Sequence, residues 1–89
     1  MTLRDAADRR RFELEEAGLV VFADYRRADG VLEILHVEAP PALRGGGAAG
    51  RLMAGVLEEA RRRKERVRPI CAYAAAYMRR RPETHDLLA

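Results

Sequence analysis

The chain has 89 residues, a formal charge of +3 and 48% hydrophobic content, which suits one small packed domain and is too apolar for a disordered tail. Serine, asparagine, glutamine and tryptophan are absent, so a serine nucleophile and an asparagine-based oxyanion hole are excluded. The single cysteine, Cys71, cannot close an internal disulfide, and the two separated histidines, His36 and His85, show no zinc-ligand spacing.

In chain order, the opening MTLRDAADRRR has no apolar signal core and no stretch reaches membrane-spanning length. The expectation is a soluble cytoplasmic protein, one domain over 1–89, with residues 1–9 frayed. Phe12 and Leu14 alternate with Arg11, Glu13 and Glu15, the period of a half-buried strand. Leu19 to Tyr25 is rich in valine and aromatic residues, and Asp29-Gly30 is a hairpin-turn pair. Val31 to Glu38 suits a third strand whose inward face is mixed, and Pro40-Pro41 ends it. From Ala48 to Lys64, Leu52, Met53, Val56, Leu57 and Ala60 trace one helical face, with basic residues at the C-terminal dipole. Val67 to Ile70 has strand length, and Ala72 to Arg81 is an alanine-rich helix stopped by Pro82. The order β-β-β-α-β-α defines an α+β domain with a mixed sheet, its last strand parallel to the strand before the first helix.

The most specific feature is Leu43-Arg44-Gly45-Gly46-Gly47-Ala48-Ala49-Gly50, between a strand and an amphipathic helix. Residues without bulky side chains leave bare amides at a helix N-terminus, where the dipole favours a diphosphate. Arg44 and Arg51 flank the turn and can add charge-assisted bonds. The alternative is a loop that needs glycine only for its backbone angles. The turn is neither a Walker loop nor a Rossmann fingerprint. Sixteen arginines and one lysine, Lys64, suit anionic partners, although a solvated basic surface is equally consistent.

Arg44-x-x-Gly47-x-Ala49 resembles the Q/R-x-x-G-x-G/A acetyl-CoA diphosphate motif of the GCN5-related N-acetyltransferases. Phe22-Ala23-Asp24-Tyr25, the run His36 to Gly45, Pro69 to Tyr77 and Arg81-Pro82-Glu83 extend the similarity from about Phe12 to Leu88. They resemble in particular the very small subfamily with a cysteine near the acetyl group. Gly46 stands where such proteins often carry a basic residue, and the helices with which larger members build an acceptor groove are missing. The resemblance implies a minimal fold of this family, with a sheet splayed at its centre. It also implies a pantetheine arm bonded to backbone near His36, Val37 and Glu38. The adenosine diphosphate end of coenzyme A would then lie over Arg44, Gly45, Gly46, Gly47, Ala48, Ala49, Gly50 and Arg51.

Cys71 follows a strand and precedes a helix, whose free amides stabilise a thiolate. It is read either as a nucleophile forming an acetyl-cysteine or as a buried, inert thiol. Tyr73 and Tyr77 are four residues apart on one helix face. Tyr77 matches the subfamily pattern better and is the candidate proton donor to the leaving thiolate, with core filling as its alternative. His36 is a possible base or a structural histidine. The resulting expectation is an acetyl-CoA-dependent transfer to an unidentified amine, which a protein or other macromolecule could carry, by a monomer or weak dimer without metal. The alternatives are a catalytically silent coenzyme A-binding module and a small basic nucleic-acid-binding domain. Scattered basic residues and the lack of an aromatic platform on a strand disfavour the last.

Overall fold

A computed structural model describes residues 2–89. Four antiparallel strands come first: β1 (Leu3–Ala6), β2 (Arg11–Glu16), β3 (Leu19–Ala28) and β4 (Val31–Glu38). Helix α1 (Ala48–Arg62), strand β5 (Arg66–Pro69) and helix α2 (Ala72–Arg79) follow, and a 3-10 segment runs over Pro82–Leu87. The sheet has the order β1-β2-β3-β4-β5, antiparallel until β4 and β5, which pair in parallel. This is the mixed α+β sheet expected from the sequence.

The start of the chain departs from expectation. Residues 1–9 were expected to fray, yet Leu3–Ala6 form an edge strand on β2, with Leu3 opposite Leu14 and Ala6 opposite Arg11. Met1 lies outside the described residues. The strand holds because Leu3 packs against the backbone of Gly55 in α1, where an added Cβ would meet its Cδ2 at 3.4 Å. Arg4 also pairs with Glu13 of β2. Helix α1 stops two residues earlier than its expected end at Lys64, whose own φ is +61°.

One face of the sheet carries the core. Phe12 and Leu14, then Val21, Ala23 and Tyr25, then Leu32, Ile34 and Val67 form a single cluster with Leu52, Met53, Val56, Leu57 and Ala60 of α1. Ala74, Tyr77 and Met78 of α2 join the same cluster, so both helices lie on that face. Burying each large apolar side chain there contributes roughly 1.5–3 kcal/mol. The opposite face is a lattice of ion pairs: Arg9 and Arg11 on Glu13, Arg11 on Asp24, and Arg26 and Arg68 on Glu33.

Strand β4 carries the feature that positions the site. Its register on β3 runs Ile34 opposite Tyr25 but His36 opposite Asp24, which leaves Leu35 as an extra residue, a β-bulge. The bulge resets the alternation. Leu32 and Ile34 point into the core, and after Leu35 it is Val37 that packs against it while His36 and Glu38 face outward. The mixed inward face read from the sequence was a change of phase.

Candidate active site

Strands β4 and β5 pair only from Val31 opposite Arg66 to Ile34 opposite Pro69. The amides of Ile70 and Cys71 both donate to the Ile34 carbonyl at 3.0 Å. Beyond that point β5 turns into α2 while β4 continues to Glu38, so the sheet forks. Leu35 to Glu38 lack a ladder partner on this side among the described residues. The three large hydrophobic residues that stay exposed, Leu35 at 37%, Ile70 at 52% and Tyr73 at 41%, all border the fork. Grouped exposure of this kind marks a binding surface more than scattered exposure does.

The glycine turn lies at the open end of the fork. Gly45 and Gly47 have φ of +82° and +86°, a left-handed conformation that costs other residues strain. Gly47 is the N-cap of α1, and the first amide of the helix to reach a backbone acceptor outside it is that of Arg51, on the Gly47 carbonyl at 3.0 Å. The amides of the first turn are thereby left for a ligand. A cleft of about 300 Å³ is lined here by Ala39, Leu43, Arg44, Gly45, Gly47, Ala48, Ala49, Gly50 and Tyr73. A larger hollow of about 460 Å³ lies by Leu3, Arg4 and Glu13, where the Arg4–Glu13 pair is already satisfied. The smaller cleft holds the glycine turn, Arg44 and Tyr73, and Cys71 is not among its lining residues.

The structure sorts the arginines expected at the turn. Arg44 is anchored by its Nε to the Ala39 carbonyl at 3.0 Å, which leaves its two terminal nitrogens at the cleft. Arg51, expected beside the phosphates, gives its Nε and Nη2 to Glu16, at 2.6 and 2.8 Å, while its Nη1 stays close to Gly47. That pairing holds the Glu16 carboxyl below its ordinary range. Neither Arg51 nor Gly46 lines the cleft.

Cys71 is the N-cap of α2, half-buried against the core, with no side-chain hydrogen bond at the cap. Its amide is tied to Ile34, so the thiol sits at the point where the fork opens. Of the two tyrosines, Tyr73 lines the cleft and Tyr77 does not. The Tyr77 ring is buried, with Gly50 on one side (a Cβ there would lie 3.6 Å away) and the Arg81 guanidinium 3.7 Å from its centroid. Burial, then the neighbouring Tyr77, pushes the Tyr73 phenol up, so it stays protonated near neutrality. The sequence put both on one helical face, and depth on that face is set by the α1 contact, which spacing does not reveal. The side chains of His36 and Glu38 bond to each other at 2.9 Å on the outer face, and His36 draws the Glu38 carboxyl below its usual range. They border the unpaired edge of β4 and do not line the cleft.

A glycine turn at a helix start, opening onto a forked mixed sheet, is the architecture the resemblance implied. The chain matches the GCN5-related N-acetyl-transferase family over residues 11–87, and it belongs to that family. Among solved structures, an NMR solution structure of a Staphylococcus aureus protein, provisionally named a GCN5-like N-acetyltransferase, aligns with a TM-score of 0.70. The two are 18% identical, and the alignment covers 99% of this chain and 87% of that one, which establishes a shared fold. No curated protein matches the chain. Among the described residues, no helix is long and apolar enough to cross a membrane, and no group of three or more candidate metal ligands occurs.

Proposed function

We propose that the chain binds acetyl-CoA across the fork and transfers its acetyl group to an amine through Cys71. The observation that carries this reading is a glycine turn with free helix amides in a cleft it shares with Tyr73, at the open end of the fork where β4 loses its ladder partner and Cys71 caps α2. Leu35 to Glu38 offer backbone groups to an amide-bearing arm, as a further strand would. The first residues of α1 after Gly47 offer amides, and Arg44 a guanidinium, to a diphosphate. Gly50 keeps the wall low, since a Cβ there would stand 3.7 Å from the Tyr73 hydroxyl.

When bound, acetyl-CoA supplies an activated acetyl thioester. Cys71 gives its proton to solvent, its sulfur forms a bond to the acetyl carbon, and the carbon–sulfur bond to coenzyme A breaks. Tyr73, protonated and at the cleft, gives its proton to the departing thiolate. In the second half, an unprotonated amine takes the acetyl group from Cys71, whose sulfur leaves as thiolate. The His36–Glu38 pair, at the border of the fork, receives the amine's proton. Thiol-to-thiol exchange is nearly thermoneutral, so alignment and exclusion of water carry the step. With the side-chain amides absent from the composition, the oxyanion contact falls to backbone N–H groups at the start of α2.

Incubation with acetyl-CoA followed by peptide mass spectrometry tests this, with Cys71→Ala as control. Acetyl at Cys71 and a transfer-dead variant are expected. A Cys71→Ala protein that acetylates amines at the wild-type rate would leave direct transfer and reduce Cys71 to a wall of the site.

A further inference from the structure

Strand β3 outruns β2 at the end of the sheet remote from the fork. The β2 ladder begins with Arg11 opposite Asp24, and the Tyr25 amide then donates to the Arg10 carbonyl at 3.0 Å. Strand alternation puts the Arg27 amide on this same edge, beyond the start of β2. The notch left there, of about 390 Å³, is lined by Ala7, Arg10, Tyr25, Arg26 and Arg27, three arginines and no carboxylate. Asp8, exposed on the turn before β2, is not part of the lining.

The surrounding ion pairs leave positive charge over. Arg10 takes part in none of them among the described residues. Arg26 gives Nε and Nη2 to Glu33, which also serves Arg68, so one carboxylate meets two guanidiniums and Arg26 keeps Nη1 free. Arg27 and Arg63 balance Asp5 and Glu65, yet Arg27 Nη2 is buried without an acceptor. Two positive charges therefore stand uncompensated at the notch, one from Arg10 and one from the Arg26–Glu33–Arg68 group. The donors come from three directions: Arg10 from the turn, Arg26 from the outer face and the Arg27 amide from the strand edge. A tetrahedral dianion matches that set better than a carboxylate, which is planar and carries a single charge.

We propose that this notch binds a phosphate monoester, held by the Arg10 guanidinium, Arg26 Nη1 and the Arg27 amide. The notch opens at the sheet edge, which leaves the ester carbon directed outward. The site shares no residue with the fork or the glycine turn and is independent of the acetyl-CoA reading.

Amide NMR on the full chain, titrated with methyl phosphate at fixed ionic strength, tests the site. The titration is run at about pH 8, where a monoester with a second pKa of about 6 is a dianion. Saturable shifts are expected at the amides of Arg10, Arg26 and Arg27. Arg10 has a φ of +53°, so Arg10→Gly removes the guanidinium without adding backbone strain. That variant should bind about tenfold more weakly at the notch, with the response of Ala48 to Gly50 as in the wild type. Acetate should need at least about tenfold more ligand to shift the same notch amides. Absence of a saturable shift at Arg26 and Arg27 overturns the site. So does an unchanged midpoint in Arg10→Gly, or an acetate midpoint equal to that of methyl phosphate. Each of these failures leaves the glycine turn standing, because its own amides report on it separately.

Discussion

Replacing Gly47 by valine places a β-branched side chain on a residue with φ of +86°. The left-handed conformation costs a non-glycine residue roughly 1–2 kcal/mol. The new Cβ would also lie 2.9 Å from Arg51 Nη1. Arg51 is long and exposed and can swing aside, and the exposed pair it makes with Glu16 adds little. The stability loss is therefore expected to stay near the conformational term, a fall in Tm of about 5–15 °C for a domain of this size, so the variant still folds. Ligand binding suffers more. A side chain at the N-cap covers the free amides and re-aims those that follow. Losing one or two bonds to a charged diphosphate, each worth about 1.5–3 kcal/mol, weakens affinity by at least about tenfold. Gly46→Ala is the matched control, because Gly46 has no left-handed φ and its Cβ would meet only the Leu43 carbonyl at 3.6 Å. Thermal melts and calorimetry with coenzyme A on both variants make the measurement. Unchanged affinity in folded Gly47→Val would show that the diphosphate does not use this turn.

Tyr73→Phe should slow acetyl transfer at least tenfold with little change in coenzyme A affinity, whereas Tyr77→Phe should leave the rate near wild type; steady-state kinetics with the opposite ranking would reverse the assignment. Glu16, Glu33 and Glu38 are held below their ordinary value of 4.5 by Arg51, by Arg26 and Arg68, and by His36 respectively. A carboxyl depressed in the folded state contributes its full stabilisation above pH ~4.5 and loses it as the pH falls through the folded value. Tm should therefore be flat from neutrality to about pH 5 and drop below about pH 4.5, and a melt series without that drop would show that these pairs do not stabilise the fold.

Most of the fold was legible because its signals are periodic. The helical face from Leu52 to Ala60 and the alternation of Phe12 with Leu14 require only counting, and both elements stand where counting puts them. β1 was not legible. With only Leu3 half-buried and Ala6 buried, three residues apart, it has no alternation of its own and exists through pairing with β2 and contact with Gly55, which are long-range facts. The glycine turn was readable as a motif, but the division of labour around it was not. Arg44 and Arg51 are equivalent in sequence, and Glu16, thirty-five residues before Arg51, takes up two of the Arg51 nitrogens while Arg44 lines the cleft. Leu35 left a trace in the adjacent pair Ile34-Leu35, two apolar residues where a plain strand would alternate.

An alternating strand stores its orientation as a parity, and parity is changed by counting residues, not by exchanging them. In β4 the bulge takes Leu35 out of the alternation, and that is what lets Ile34 and Val37, three residues apart, both face inward while His36 and Glu38 face out. Deleting Leu35 would keep Val37 opposite Ala23 and His36 opposite Asp24 and remove only the kink, whereas a regular ladder that retained Leu35 would turn His36 and Glu38 toward the apolar core. Any single substitution in β4 alters one side chain, whereas a one-residue slip there rewrites both surfaces of the strand at once. The pairing register of the segment is therefore under tighter constraint than its residue count. A redesign of this edge must keep Val37 opposite Ala23, with the bulge or without it.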